Sequence, residues 1–73
     1  FSLKGLAEKW PSAIVAREKV GEFSGGVLNS RTLANADCVQ GRGPQGRMRM
    51  GRKVFYTVEA LVEWMEQRTE ILN

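Results

Sequence analysis

GRMRMGRKVFY, residues 46–56, alternates arginine with methionine, breaks at Gly51, and resumes alternating through Val54, Phe55 and Tyr56. A period of two on both sides of a glycine predicts two strands joined as a hairpin. Two registers compete. A two-residue Gly51-Arg52 turn suits a type II′ hairpin and pairs Met50 with Lys53. A three-residue loop over 51–53 pairs Met50 with Val54 and Met48 with Tyr56. Only the second gathers Met48, Met50, Val54 and Tyr56 on one face, and burial specifies register more strongly than turn preference does. We therefore expect the three-residue loop. It turns Arg47, Arg49 and Phe55 outward and leaves Arg52 and Lys53 at the tip.

The same stretch carries most of the chain's basicity. Arg42, Arg47, Arg49, Arg52 and Lys53 fall between Cys38 and Val58 with no acid among them. The remaining six basic and eight acidic residues balance to −2, so the net charge of +3 is local in origin. A basic zone on an otherwise neutral-to-acidic domain is the electrostatic footprint of a phosphate-binding surface.

Outward from the hairpin, the flanking segments read as helices. On the C-terminal side, Thr57 caps a helix in which Val58, Leu61, Val62 and Met65 form the apolar stripe, with Trp64 beside it. Glu59 sits in its positive first turn and Arg68 near its C-terminal end. On the N-terminal side, Asn29 caps a helix over 30–40 that Gly41 stops. Turning 100° per residue puts Leu33, Ala36 and Gln40 on its inner side and Arg31, Ala34, Asn35 and Cys38 on the other. RGPQG, residues 42–46, is the loop between this helix and the hairpin. Residues 12–23 read as a further helix with Ala13, Ala16, Val20 and Phe23 on one stripe, ended by Ser24-Gly25-Gly26. Residues 1–10 read as a first helix, with Leu3, Leu6, Ala7 and Trp10 at helical spacing and Ser2 as its N-cap. Pro11 forces the boundary between the two. Trp10 and Trp64 are expected in the core. Two helices joined by a short glycine-containing turn form a helix-turn-helix arrangement, whose second helix is suited to a major groove.

Seventy-three residues make a single domain, 1–73, with one small core. The one cysteine, Cys38, excludes an internal disulfide, and without a histidine it offers no zinc site. No metal or cofactor is expected. The lack of a disulfide framework in so short a chain fits a reducing cytosol. No apolar run approaches the roughly 20 residues that span a bilayer, and no stretch reads as a signal peptide. An enzyme is excluded on inventory: no histidine base, no phosphate-binding loop pattern and no carboxylate pair in a recognisable motif.

The order helix, helix, basic hairpin, helix is similar to a winged helix-turn-helix. More closely, residues 28–65 resemble the DNA-binding domain of the excisionase and MerR-like group. The resemblance rests on Ser30 to Leu33 (Ser-x-x-Leu with Thr32 within it), Gly43-Pro44, Gly51 to Tyr56, and Glu59 to Trp64, in that order and spacing. It implies a mostly α fold with a small β-hairpin wing, in the order α-α-α-β-β-α. It also implies a sequence-specific binder of double-stranded DNA that bends its site to assist a mobile-element recombinase, with a phage-type integrase as partner. A monomer or weak dimer of bacterial or phage origin, in the cytoplasm at the nucleoid, follows from the same likeness.

By position, the helix beginning at Ser30 becomes the recognition helix. Arg31 and Asn35 read bases, since Arg makes bidentate contacts to guanine and Asn to adenine. Ser30 and Thr32, with the free amides of the helix N-terminus, and Arg42 hold the DNA backbone. Arg47, Arg49, Arg52 and Lys53 form the wing contacts. Asp37 stands where relatives often carry a basic residue, and is expected to weaken attraction to phosphate there. Cys38 lies on the face assigned to DNA. Phe55, at an outward wing position more often basic, is expected to lie on the aliphatic stems of Arg47 and Arg49. Two rivals stand beside the excisionase reading. One is a small transcriptional regulator of the same fold; the other is a phage adaptor module that keeps the fold without binding DNA. Ile71 and Leu72 extend the last helix's apolar character toward a small dimer contact.

Overall fold

The structure, a computed structural model, describes residues 2–39 and 41–72. Four helices, α1 (Gly5–Lys9), α2 (Val20–Phe23), α3 (Ser30–Asp37) and α4 (Val58–Arg68), surround a three-stranded antiparallel sheet. Its strands are β1 (Ile14–Ala16), β2 (Met48–Met50) and β3 (Lys53–Thr57), ordered β1-β3-β2, and a 3₁₀ turn at Arg17–Lys19 joins β1 to α2.

The chain reaches α1 through a Ser2 hydroxyl that accepts the Lys4 N–H, and the helix starts without a side-chain cap at Lys4. Ser2 thus makes an ST turn two residues before the N-cap position, where it was expected to stand. Glu66 of α4 accepts the Leu3 N–H at 2.7 Å, tying this end down. Pro11 ends the helical region as expected, with Trp10 already extended.

The helix expected over 12–23 is absent as such. Residues 14–16 form a strand, and only Val20–Phe23 is α-helical. β1 pairs with β3 through Ile14↔Thr57, Val15↔Tyr56 and Ala16↔Phe55, and the Ala13 carbonyl accepts the Val58 N–H. The local stripe of Val20 and Phe23 is real and buried. The β-branched pair Ile14-Val15 gains more from a partner some 40 residues away than from one more helical turn. α2 closes in a Schellman motif: the Gly26 N–H donates to the Gly21 carbonyl and Gly25 N–H to Glu22, with Gly25 at φ +68°. The buried Ser24 hydroxyl donates to the Val20 carbonyl and accepts the Leu28 N–H, fixing the turn into α3.

α3 and α4 begin at the expected caps. Asn29 Oδ1 accepts the Thr32 N–H at 2.8 Å, and Thr57 Oγ1 accepts the Ala60 N–H at 3.1 Å. α3 ends at Asp37, short of the expected 40; Gln40 lies outside the described residues. Leu33 is fully buried and Ala36 packs on the core, while Arg31, Asn35 and Cys38 are exposed. The α4 stripe of Val58, Leu61, Val62 and Met65 joins Val15, Val20, Phe23, Leu33, Tyr56 and Trp64 in one core. Trp10 lies at its margin, edge-on to Phe23 with ring centroids 5.5 Å apart. α4 ends at Arg68, so Ile71 and Leu72 do not extend it; both are exposed beyond its end.

The hairpin adopts the other register. Met48 pairs with Phe55, Arg49 with Val54 and Met50 with Lys53, around a two-residue Gly51-Arg52 turn. Gly51 sits at φ +63° and Arg52 has no positive φ, the pattern of a type II′ turn. Every side chain of β2 is therefore on the face opposite to the one expected. Arg47 and Arg49 share the side of Val54 and Tyr56, while Met48 and Met50 share the other with Phe55. Met50 is 75% exposed. Phe55 thus packs beside Met48 and Ala16, across the sheet from the arginine stems it was expected to cover. The core face is already filled by Val15 and Tyr56 from β1 and β3, so edge strand β2 has nothing left to bury and turn geometry prevails.

Candidate functional site

Asp37, the last residue of α3, is 4% exposed in its side chain and ties together four parts of the chain. Its Oδ2 accepts from Arg17 Nη2 and from the Tyr56 hydroxyl, each at 2.5 Å. The same hydroxyl accepts from Arg17 Nε at 3.0 Å, closing a triangle of Arg17, Asp37 and Tyr56. Arg47 Nη1 donates to the Asp37 backbone carbonyl at 2.8 Å and stands 3.8 Å from Oδ1. A Cβ at Gly43 would overlap Oδ1, so the glycine of Gly43-Pro44 is required for room. Burial, and then the bond to Asp37, push the Tyr56 hydroxyl up to about 12. Burial pulls the Arg17 guanidinium down, but its bonds to Tyr56 and Asp37 outweigh that and leave it raised. Asp37 is therefore no stray negative charge on the outer surface. It is the buried counter-ion that fixes the hairpin, the 3₁₀ turn and the loop against α3.

The loop over 41–47 is anchored at its other end by α4. The Arg42 carbonyl accepts from Trp64 Nε1 and from Arg68 Nη2, both at 2.7 Å, and the Arg68 guanidinium lies 4.7 Å over the Trp64 ring. The Arg42 side chain is exposed beside α4, lining a depression with Glu63 and Gln67. Arg68 lines the same depression, and none of the hairpin's basic residues does.

Those others converge. Ser30, Arg17, Glu18, Arg52, Lys53 and Val54 line one cleft, between the start of α3, the 3₁₀ turn and the hairpin tip. Arg17 and Val54 also line the adjoining cleft, together with Arg47, Met48 and Arg49. The two form one groove along the hairpin. The one acid among the lining residues, Glu18, is bound by Lys53 Nζ at 2.6 Å, which holds its carboxyl below the usual range. Among the described residues, Arg31, Arg42, Arg49 and Arg52 make no ion pair. Thr32 is less available than expected, since Asn29 Oδ1 takes both its N–H and its hydroxyl proton. Arg31 and Asn35 stand exposed on α3 outside the groove, and Cys38 is exposed at the helix C-cap.

Arg17 is the residue that sequence reasoning missed, because it was placed inside a helix. The β-branched pair Ile14-Val15 after Pro11-Ser12 was the signal that it follows a strand. Among the described residues no group of acids and cysteine is placed to hold a metal ion, and no helix is long and apolar enough to cross a membrane. No protein-family model, curated protein or solved structure matches this chain.

Proposed function

We propose that this chain is a small, non-enzymatic, sequence-specific double-stranded DNA-binding protein of the winged helix-turn-helix type. In this reading α2 and α3 are the helix-turn-helix pair, α3 is the recognition helix and the β2–β3 hairpin is the wing. Its role is excisionase-like: it bends DNA beside a recombinase of the phage-integrase kind, in the cytoplasm at the nucleoid. One observation carries the reading. A groove beside the N-terminus of α3 gathers Arg17, Arg47, Arg49, Arg52 and Lys53; the one acid lining it, Glu18, is already engaged by Lys53, and the buried Asp37 behind it by Arg17. Exposed Arg31 and Asn35 on the adjoining helix supply the side chains best suited to guanine and adenine edges.

Selection of bound duplexes from a random pool tests this. The selected set is expected to share a short motif. Asn35→Ala is then expected to relax preference at one position, while Arg49→Ala weakens binding to all duplexes alike. An unenriched pool, or an Asn35→Ala protein that loses affinity equally on every duplex, contradicts base reading by α3.

A further inference from the structure

The inner half of the groove holds three guanidiniums around one opening. Arg17, Arg47 and Arg49 line a cleft of about 330 Å³ whose remaining walls are Met48 and Val54. The nearest carboxylate, Asp37, is buried and does not line the opening. Three positive charges against that one negative leave two in excess at the opening.

Two of the three guanidiniums are held in place by the fold itself. Arg17 is fixed through Nε to Tyr56 and through Nη2 to Asp37, and Arg47 through Nη1 to the Asp37 carbonyl. These bonds use only part of each planar fork. Arg17 Nη1, Arg47 Nε and Nη2, and the whole of the Arg49 guanidinium have no hydrogen-bond partner among the described residues. A fork fixed beforehand loses less side-chain freedom when it binds. The lining side chains offer donors and apolar surface, with no carboxylate, amide or hydroxyl acceptor. A ligand here must therefore present acceptors on several sides and carry negative charge.

We infer that the Arg17–Arg47–Arg49 cleft is a pre-organised seat for a phosphate group, with Arg17 as a ligand from outside the hairpin. A phosphate's oxygens match paired guanidinium forks, and its charge matches the excess. The source of the phosphate rests on the function proposed above, in which it is a backbone phosphate of the duplex. A free or terminal phosphate has the same chemistry.

The test is an NMR titration of the arginine Nε–Hε signals with inorganic phosphate, replacing chloride at constant ionic strength, run beside a duplex-binding assay. Saturating shifts are expected at Arg17, Arg47 and Arg49, with smaller ones at Arg31, Arg42 and Arg52. Arg49→Gln lies outside the Asp37 network and should keep the amide spectrum of the fold. It is expected to weaken phosphate binding about tenfold or more, the effect of losing one charge-assisted pair. Shifts that never saturate, or that spread evenly over all exposed arginines, overturn the seat even where duplex binding persists. Saturating shifts at the three arginines in a protein that binds no duplex uphold the seat, overturn the DNA reading and assign the site to free or terminal phosphates.

Discussion

Asp37→Ala removes the side chain that, among the described residues, contacts Arg17, Tyr56 and Arg47 together. Tyr56 is fully buried, so its hydroxyl loses an acceptor that water cannot replace, at a cost of about 1–3 kcal/mol. Arg17 loses its counter-ion. Stripping one partner from a fully buried pair costs roughly 3–5 kcal/mol. The Arg17 side chain is 24% exposed and partly re-solvates, which brings its share nearer about 1–2 kcal/mol. The sum is about 3 kcal/mol. A domain of this size has a total stability of about 4–11 kcal/mol, so the variant should fold but weakly. In urea, with a slope of about 1 kcal/mol per molar, the midpoint should fall by about 3 M. Asp37→Asn keeps an acceptor for Tyr56 and loses only the charge, so its midpoint should lie between those of Asp37→Ala and the parent. A double-mutant cycle with Tyr56→Phe should return a coupling of about 1 kcal/mol or more. An Asp37→Ala protein within about 0.5 kcal/mol of the parent, together with a cycle near zero, would refute the claim that this carboxylate holds the hairpin to α3.

Three further outcomes follow from the same geometry. The folded-state value of about 12 for Tyr56 lies above the ordinary tyrosine value near 10. Stability from this group is therefore full below about pH 10 and falls as pH rises through 12, by up to about 3 kcal/mol; urea midpoints at stepped alkaline pH should drop more steeply for the parent than for Tyr56→Phe, and parallel curves would contradict it. Gly43→Ala places a methyl against the Asp37 carboxylate and should cost about 1–3 kcal/mol by thermal or urea unfolding, so an unchanged midpoint would show that the loop yields freely. Met50→Ser should change stability by less than about 0.5 kcal/mol; a loss of about 2 kcal/mol or more would instead favour the register that buries Met50.

Much of this fold is legible in the sequence because the decisive signals are local. Asn29 and Thr57 mark helix starts by their own side chains, and the Leu33–Ala36 and Val58–Met65 faces are set by helical spacing. The strand at Ile14–Ala16 is illegible for the opposite reason. Its partner lies at Phe55–Thr57, and a short apolar run with two β-branched residues is too little to outweigh the stripe at Val20 and Phe23. The hairpin register failed through an assumption about burial. Alternating methionines suggest a buried face, yet the core is complete without them and the small turn geometry wins. Asp37 reads as surface charge because its partners, Arg17 and Tyr56, stand 20 and 19 residues away in sequence. Only the closed fold brings them together. The basic character of the site was visible from composition, whereas the groove that unites Arg17 with the hairpin arginines was not.

The salt dependence of duplex binding tests the central claim most directly. Arg31, Arg42, Arg49 and Arg52 are four of the proposed DNA contacts, and none of them has a carboxylate partner among the described residues. If four phosphates are neutralised, a plot of log affinity against log salt should have a slope near roughly −3.6, falling by about 0.9 in magnitude for Arg49→Gln. A slope indistinguishable from zero, or no binding to any duplex at low salt, would contradict the account.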